Sequence, residues 1–167
     1  MLLIDEVDRA DEEFEAFLLE VLSDFQVTIP ELGTIRAKER PVVVLTSNRT
    51  RELSEALRRR CLYLWIDFPT LEKELRIVRA KVPGLAEQLA RDVAIFMQSM
   101  RRAGLTKTPG VAEALDWAEA LCTLGAERLD EDIVRETLGC IVKDDGDLRT
   151  MEQALDEGRL AAMLSIS

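Results

Sequence analysis

The feature that most constrains this chain is a change of hydrophobic rhythm at Pro69. Before it, short β-branched apolar runs alternate with amphipathic stretches; after it, only helical periodicity remains. Residues 1–4 are apolar, stop at Asp5, and read as a buried strand. Residues 11–22 place apolar side chains at 14, 17, 18, 21 and 22, the spacing of an amphipathic helix, with Asp11, Glu12 and Glu13 where they favour its N-terminal dipole. Residues 25–29 alternate at period two, Pro30-Glu31-Leu32-Gly33 turns, and 34–37 return, which specifies a β-hairpin. Residues 42–45 read as a second buried strand, ending at Thr46-Ser47-Asn48. A short helix over 52–60 and a third strand over 62–66 complete this half. Strands separated by helices call for a parallel sheet. From Thr70, helices are predicted at 70–81, 84–103, 110–124, 130–142 and 145–157, with breaks at Pro83-Gly84, Gly104, Pro109-Gly110, Gly125 and 144–146. The expected fold class is therefore α/β: a partial parallel-sheet core with a hairpin insertion over 1–69, then an all-α domain over 70–167. Trp117 and Leu121, and Phe96, Met97 and Met100, fall at core positions of those helices; Trp65 is expected to pack from its strand against a helix.

Composition narrows the chemistry. The chain has no His, which excludes Ser-His-Asp and Cys-His nucleophilic sites and His metal ligands. Its Cys, at 61, 122 and 140, form no C-x-x-C pair and read as reduced thiols of a cytoplasmic protein. No apolar run approaches the roughly 18–20 residues that span a bilayer, and no signal peptide is recognisable. With 22 basic and 32 acidic residues the net charge is −10, which makes nucleic acid an unlikely partner but leaves room for a local basic site. The charge is uneven. Residues 1–24 carry nine acids against Arg9, and residues 49–60 carry five Arg against Glu52 and Glu55. For the acids at 8, 11 and 12 a solvated helix face is the default; facing a neighbouring subunit's Arg cluster is the other option.

Asp5-Glu6 places two carboxylates at the C-terminal end of a strand, where open parallel sheets bind ligands. In a nucleotide hydrolase the first acid organises Mg²⁺, usually through water, and the second polarises the attacking water. Taken alone, those residues also read as a solvated strand end. Asn48 closes a second strand. Its amide can donate to a phosphate oxygen or hold the water, or it is a turn residue. The run Arg58-Arg59-Arg60 precedes the third strand; it is a solvated face, or it supplies an arginine finger to a neighbour's phosphate.

Together, these features resemble the Walker B, sensor 1 and arginine-finger series of the AAA+ ATPases, over essentially the whole chain. The hairpin ahead of the sensor 1 strand is similar to that of the pre-sensor-1 hairpin clade. The stretch Lys107-Thr-Pro-Gly-Val-Ala-Glu-Ala-Leu-Asp-Trp117, with Glu136-Thr-Leu-Gly139, resembles the MoxR-type subgroup associated with maturation of aerobic carbon monoxide dehydrogenase. The resemblance implies a Mg²⁺-organising Asp5, a catalytic Glu6, sensor 1 at Asn48 in contact with ATP, and a finger at Arg60 with Arg59 as second candidate. It also implies ATP and Mg²⁺ as cofactors of the intact protein, a homo-oligomeric ring, a von Willebrand factor A-domain partner, and a client metallo-enzyme remodelled in chaperone-like fashion.

Two departures accompany the resemblance. No G-x-x-x-x-G-K-[ST] phosphate loop occurs, and the chain starts at Walker B. The expectation is a longer protein read from an internal Met, a misplaced gene start or a trimmed piece, inactive by itself and prone to associate. In the second half, Ala112 stands where the family often has a sensor 2 Arg; Lys107 is a candidate substitute, or a solvated surface Lys. A non-catalytic regulatory module lacking the phosphate loop and a nucleic-acid motor or loader are the competing readings.

Overall fold

The computed structural model describes residues 1–165 and divides the chain into two compact units, Met1–Ile66 and a second that begins at Asp67. The fold is mixed α/β, with a small parallel sheet followed by helices.

In the first unit, β1 (Leu2–Ile4) lies parallel to β4 (Val43–Leu45), in the register Leu2 to Val43 and Ile4 to Leu45. The pairing runs on past both strand ends. Thr46 N–H donates to Ile4 C=O at 3.0 Å and Val7 N–H to Thr46 C=O at 2.9 Å. Helix α1 (Glu12–Asp24) starts at Asp11, whose carboxylate accepts from Phe14 N–H at 2.8 Å. It ends at Phe25 in the left-handed region, φ 52°. Strands β2 (Gln26–Ile29) and β3 (Gly33–Arg36) form the expected antiparallel hairpin, and Gly33 takes the positive φ of 76° that the turn requires. Glu20 on α1 holds the hairpin, accepting from Thr28 Oγ1 at 2.6 Å and Gln26 Nε2 at 2.9 Å. Helix α2 (Glu55–Arg58) is capped by Ser54. Val7, Leu18 and Leu57 are the buried centre, with Ile4, Leu19, Leu22, Leu45 and Leu53 around them.

Several expectations fail here. β1 and β4 form where expected but are not buried strands: Leu2, Leu3 and Val44 are exposed. Residues 62–66 are extended but form no strand; Leu62 is fully exposed, and Leu64 and Ile66 are each 80% exposed. A strand exists only when a neighbour completes its ladder, and no described strand pairs with this segment. Trp65 accordingly does not pack from a strand; it is 53% exposed, with the Arg49 guanidinium 5.1 Å from its ring centroid. The helix expected over 52–60 shortens to four residues, because Ser54 starts it and the Arg run ends in turns.

The second unit is all helix: α3 (Leu71–Lys81), α4 (Glu87–Arg102), α5 (Val111–Thr123), α6 (Glu131–Thr137), α7 (Asp145–Asp156) and α8 (Leu160–Met163). The helix expected over 130–142 breaks into α6 and a 3-10 turn, Leu138–Cys140, and α8 was not anticipated. Phe96, Met97, Met100, Trp117 and Leu121 are all buried in one core, as expected. Trp117 Nε1 donates to Thr137 Oγ1 at 2.7 Å, and that hydroxyl donates on to Ile133 C=O, so the one polar atom of the indole is satisfied. Glu74, wholly buried, takes Arg101 on both oxygens at 2.6 and 2.7 Å. Among the described residues no helix is long and apolar enough to cross a membrane.

Candidate active site

The carboxylates and Asn48 converge where β1 and β4 end. Because the strands are parallel and paired residue for residue, their C-terminal ends emerge side by side, which brings residues 5–8 against residues 46–50. Thr46 joins them first. Its Oγ1 accepts from Glu6 N–H at 2.9 Å and donates to Asp5 Oδ1. Glu6 then takes the left-handed backbone, φ 51°, which turns the chain into the short 3-10 turn Val7–Arg9. Asn48 Nδ2 donates to Glu6 Oε1 at 2.9 Å, and the other Glu6 oxygen pairs with Arg9 Nε at 2.9 Å. Asp5, Glu6 and Asn48 thus form one cluster, with the Asp5 side exposed to solvent.

Two acids beside this cluster are buried: Asp8, read from sequence as part of a solvated face by default, and Glu15, which the sequence did not single out. Asp8, 2% exposed, accepts Asn48 N–H at 3.1 Å on Oδ1, and Thr50 Oγ1 at 2.6 Å and Thr50 N–H at 2.7 Å on Oδ2. The Thr50 hydroxyl and amide, with the Asn48 amide, outweigh its burial and hold its carboxyl well below the usual carboxylate range. The default of a solvated face is thereby corrected for Asp8. Glu15, 3% exposed, pairs with Arg51 and accepts Ser54 N–H at 2.9 Å. Burial pushes its carboxyl up, but Ser54 and Arg51 outweigh that and leave it lowered. Arg51 also donates from Nε to Ala10 C=O at 3.1 Å, so this member of the Arg-rich stretch fastens α1 to the loop after Asn48. The only available signal for Asp8 was Thr50, two residues beyond Asn48 and able to cap an acid; which two of the nine acids are buried is invisible in sequence.

The two finger candidates bond to groups outside the cluster. Arg60 Nε donates to Ser23 Oγ at 2.7 Å and Nη1 to Ala56 C=O at 2.9 Å. Arg59 pairs with Glu55 one helical turn back and is 75% exposed. In the second unit, Lys107 has an exposed side chain, and its backbone N–H donates to Asp147 at 2.9 Å.

The donor set suits a hydrated hard cation better than an enclosed metal. No group of three or more acid or Cys side chains is gathered to hold an ion among the described residues. Asp5 offers one carboxylate, steadied by Thr46. Mg²⁺ typically combines one or two carboxylates with waters and substrate phosphates, so Asp5 fits the water-mediated role.

No protein-family model matches the chain. Curated relatives do. The chain is 29% identical over 164 residues to the Holliday junction branch migration complex subunit RuvB of Thermotoga maritima, covering 93% of this chain and 48% of the relative. It is 31% identical over 147 residues to the RuvB of Thermotoga petrophila, covering 83% and 43% respectively. The chain therefore spans a little under half the length of the curated relatives it matches. These relatives lend no support to the MoxR subgroup. Their name, a subunit of a Holliday junction complex, also conflicts in part with the expectation that nucleic acid is an unlikely partner. At this modest identity the chain is homologous to RuvB, an AAA+ ATPase, and the homology supports its place in the AAA+ superfamily.

Proposed function

We propose that residues 1–69 supply the Walker B, sensor 1 and arginine-finger part of an AAA+ ATPase site, and residues 70–167 its helical lid, in a protein that hydrolyses Mg·ATP as an oligomer. The observation that carries the reading is the bond from Asn48 Nδ2 to Glu6 Oε1, across 42 positions of sequence, at the paired ends of two parallel strands. In this reading Asp5 holds the hydration shell of Mg²⁺. Glu6 takes a proton from the attacking water or polarises it. Asn48 keeps Glu6 oriented and offers its amide to the γ-phosphate, and Arg60 or Arg59 compensates charge in the adjoining subunit's site. No G-x-x-x-x-G-K-[ST] loop occurs in these 167 residues, so the reading requires a phosphate-binding element that they do not supply.

Two kinds of work are open to such an ATPase. The similarity to RuvB favours action on branched nucleic acid. The resemblance of residues 107–117 to MoxR-type proteins favours remodelling of a client protein, with a von Willebrand factor A-domain partner. A non-catalytic module is the third reading. The reading frame upstream of Met1 separates the third from the others: we expect an in-frame apolar strand leading into G-x-x-x-x-G-K-[ST], and its absence would favour the module. Stimulation of ATP turnover by a four-way DNA junction, lost as salt is raised, would establish the first kind of work. Turnover indifferent to DNA would leave the second.

A further inference from the structure

We propose that Asp8 is a positioning residue, whose buried carboxylate clamps residues 48–50 and thereby sets Asn48 against Glu6. The proposal rests on the ATPase reading for its effect on turnover, though its geometric part does not.

A carboxylate buried away from water persists only where its acceptor capacity is used. Asp8 spends that capacity on a single loop, taking two backbone N–H groups and one hydroxyl from Asn48 and Thr50. That loop needs holding. The parallel ladder stops at Thr46, and Arg49, between the two clamped residues, is left-handed at φ 58°. On the opposite side Glu6 is left-handed at φ 51°. Both flanks of the Asn48–Glu6 bond are therefore in conformations that non-glycine residues adopt only when their surroundings impose them. Asp8 lies in the 3-10 turn directly after Glu6 and grips the loop directly around Asn48. It thus ties together the same two segments that the Asn48–Glu6 bond joins. Thr46 fixes the strand ends at Asp5; Asp8 fixes the turn and the loop beyond those ends.

Asp8→Asn preserves size but turns an amide NH₂ toward donors that need an acceptor. In the protein expressed from its complete reading frame, this change should lower kcat for ATP by roughly 10–100-fold, the cost of misplacing a reacting group by about 1 Å, while the KM stays within about threefold. Because Asp8 acts through Asn48, Asp8→Asn with Asn48→Ala should be no slower than Asn48→Ala alone. A double variant slower by the product of the two single effects would overturn the proposal. Amide hydrogen exchange on the same protein reads the clamp without turnover. Asp8→Asn should speed exchange at Asn48 and Thr50 by at least about tenfold, with the α1 amides unchanged. Unchanged exchange at 48 and 50, or uniform acceleration through residues 1–66, would equally overturn it, the latter by showing a purely structural acid. If the wild-type protein turns over no ATP, the ATPase reading fails, and the exchange experiment still decides whether Asp8 holds Asn48.

Discussion

Arg60 is engaged within its own chain, and this sets what a finger role would require. Its bonds to Ser23 Oγ and Ala56 C=O would have to open for the guanidinium to reach a neighbour. Both are exposed, and a net hydrogen bond of that kind is worth about 0.5–1.5 kcal/mol. Arg59 is held by one surface pair on the same helix, worth about 0.3–0.5 kcal/mol. Releasing both Arg60 bonds costs about 1–3 kcal/mol against the roughly 4 kcal/mol of a 10³-fold effect, so recruiting Arg60 leaves a smaller margin than recruiting Arg59. Arg60→Ala should leave ATP binding nearly unchanged and cut turnover by about 10³-fold or more. Mixing Arg60→Ala with Glu6→Gln subunits should restore part of the activity, since some interfaces then pair an intact Glu6 with an intact Arg60. Arg59→Ala measured beside it distinguishes the two candidates. If neither substitution moves turnover, or no mixture of exchanging subunits regains it, the trans role should be dropped.

At the scale of elements, legibility followed how locally each one is determined. The hairpin was readable because its turn residues and alternation lie within 25–37, and it formed as read. The strand over 62–66 was not, because the aromatic and aliphatic run Leu62–Ile66 states a preference that only a neighbouring strand can complete. The same difference separates site residues: Asp5, Glu6 and Asn48 stand at strand ends marked by an abrupt change from apolar to polar, whereas Asp8 and Glu15 look like their acidic neighbours until burial sorts them. The helical unit hides a comparable pair. Glu74 on α3 and Arg101 on α4 are wholly and nearly buried, and the Arg101 guanidinium also lies 4.7 Å from the Phe68 ring centroid and donates to Pro109 C=O. Their spacing in sequence gives no hint of this. Arg101→Ala strands a buried carboxylate and should cost about 3–5 kcal/mol of stability by denaturant unfolding. Replacing the pair together, Glu74→Leu with Arg101→Met, should recover most of that loss. A cost below about 1 kcal/mol for Arg101→Ala, the range of an exposed pair, would show that the pair is not the tie described here.

For the whole molecule, the two units differ in how much core they own. Residues 1–66 bury three apolar side chains fully and expose an apolar run, while the helical unit buries a continuous core from Val78 to Leu160. The unit that carries the candidate chemistry is thus the one with the smaller apolar core of its own. The net charge of −10 sits awkwardly with a nucleic-acid partner, and two of the five Arg between 49 and 60 are already paired with acids, Arg51 with Glu15 and Arg59 with Glu55. Both kinds of work nevertheless need the same chemical step. ATP turnover by the protein expressed from its complete reading frame, wild type against Glu6→Gln, measures that step directly. The account predicts that Glu6→Gln still binds Mg·ATP and hydrolyses it at least about 100-fold more slowly, because the amide keeps the bond to Asn48 in shape but cannot accept a proton from water. Turnover within about tenfold of wild type, a barrier change under about 1.4 kcal/mol, would contradict it.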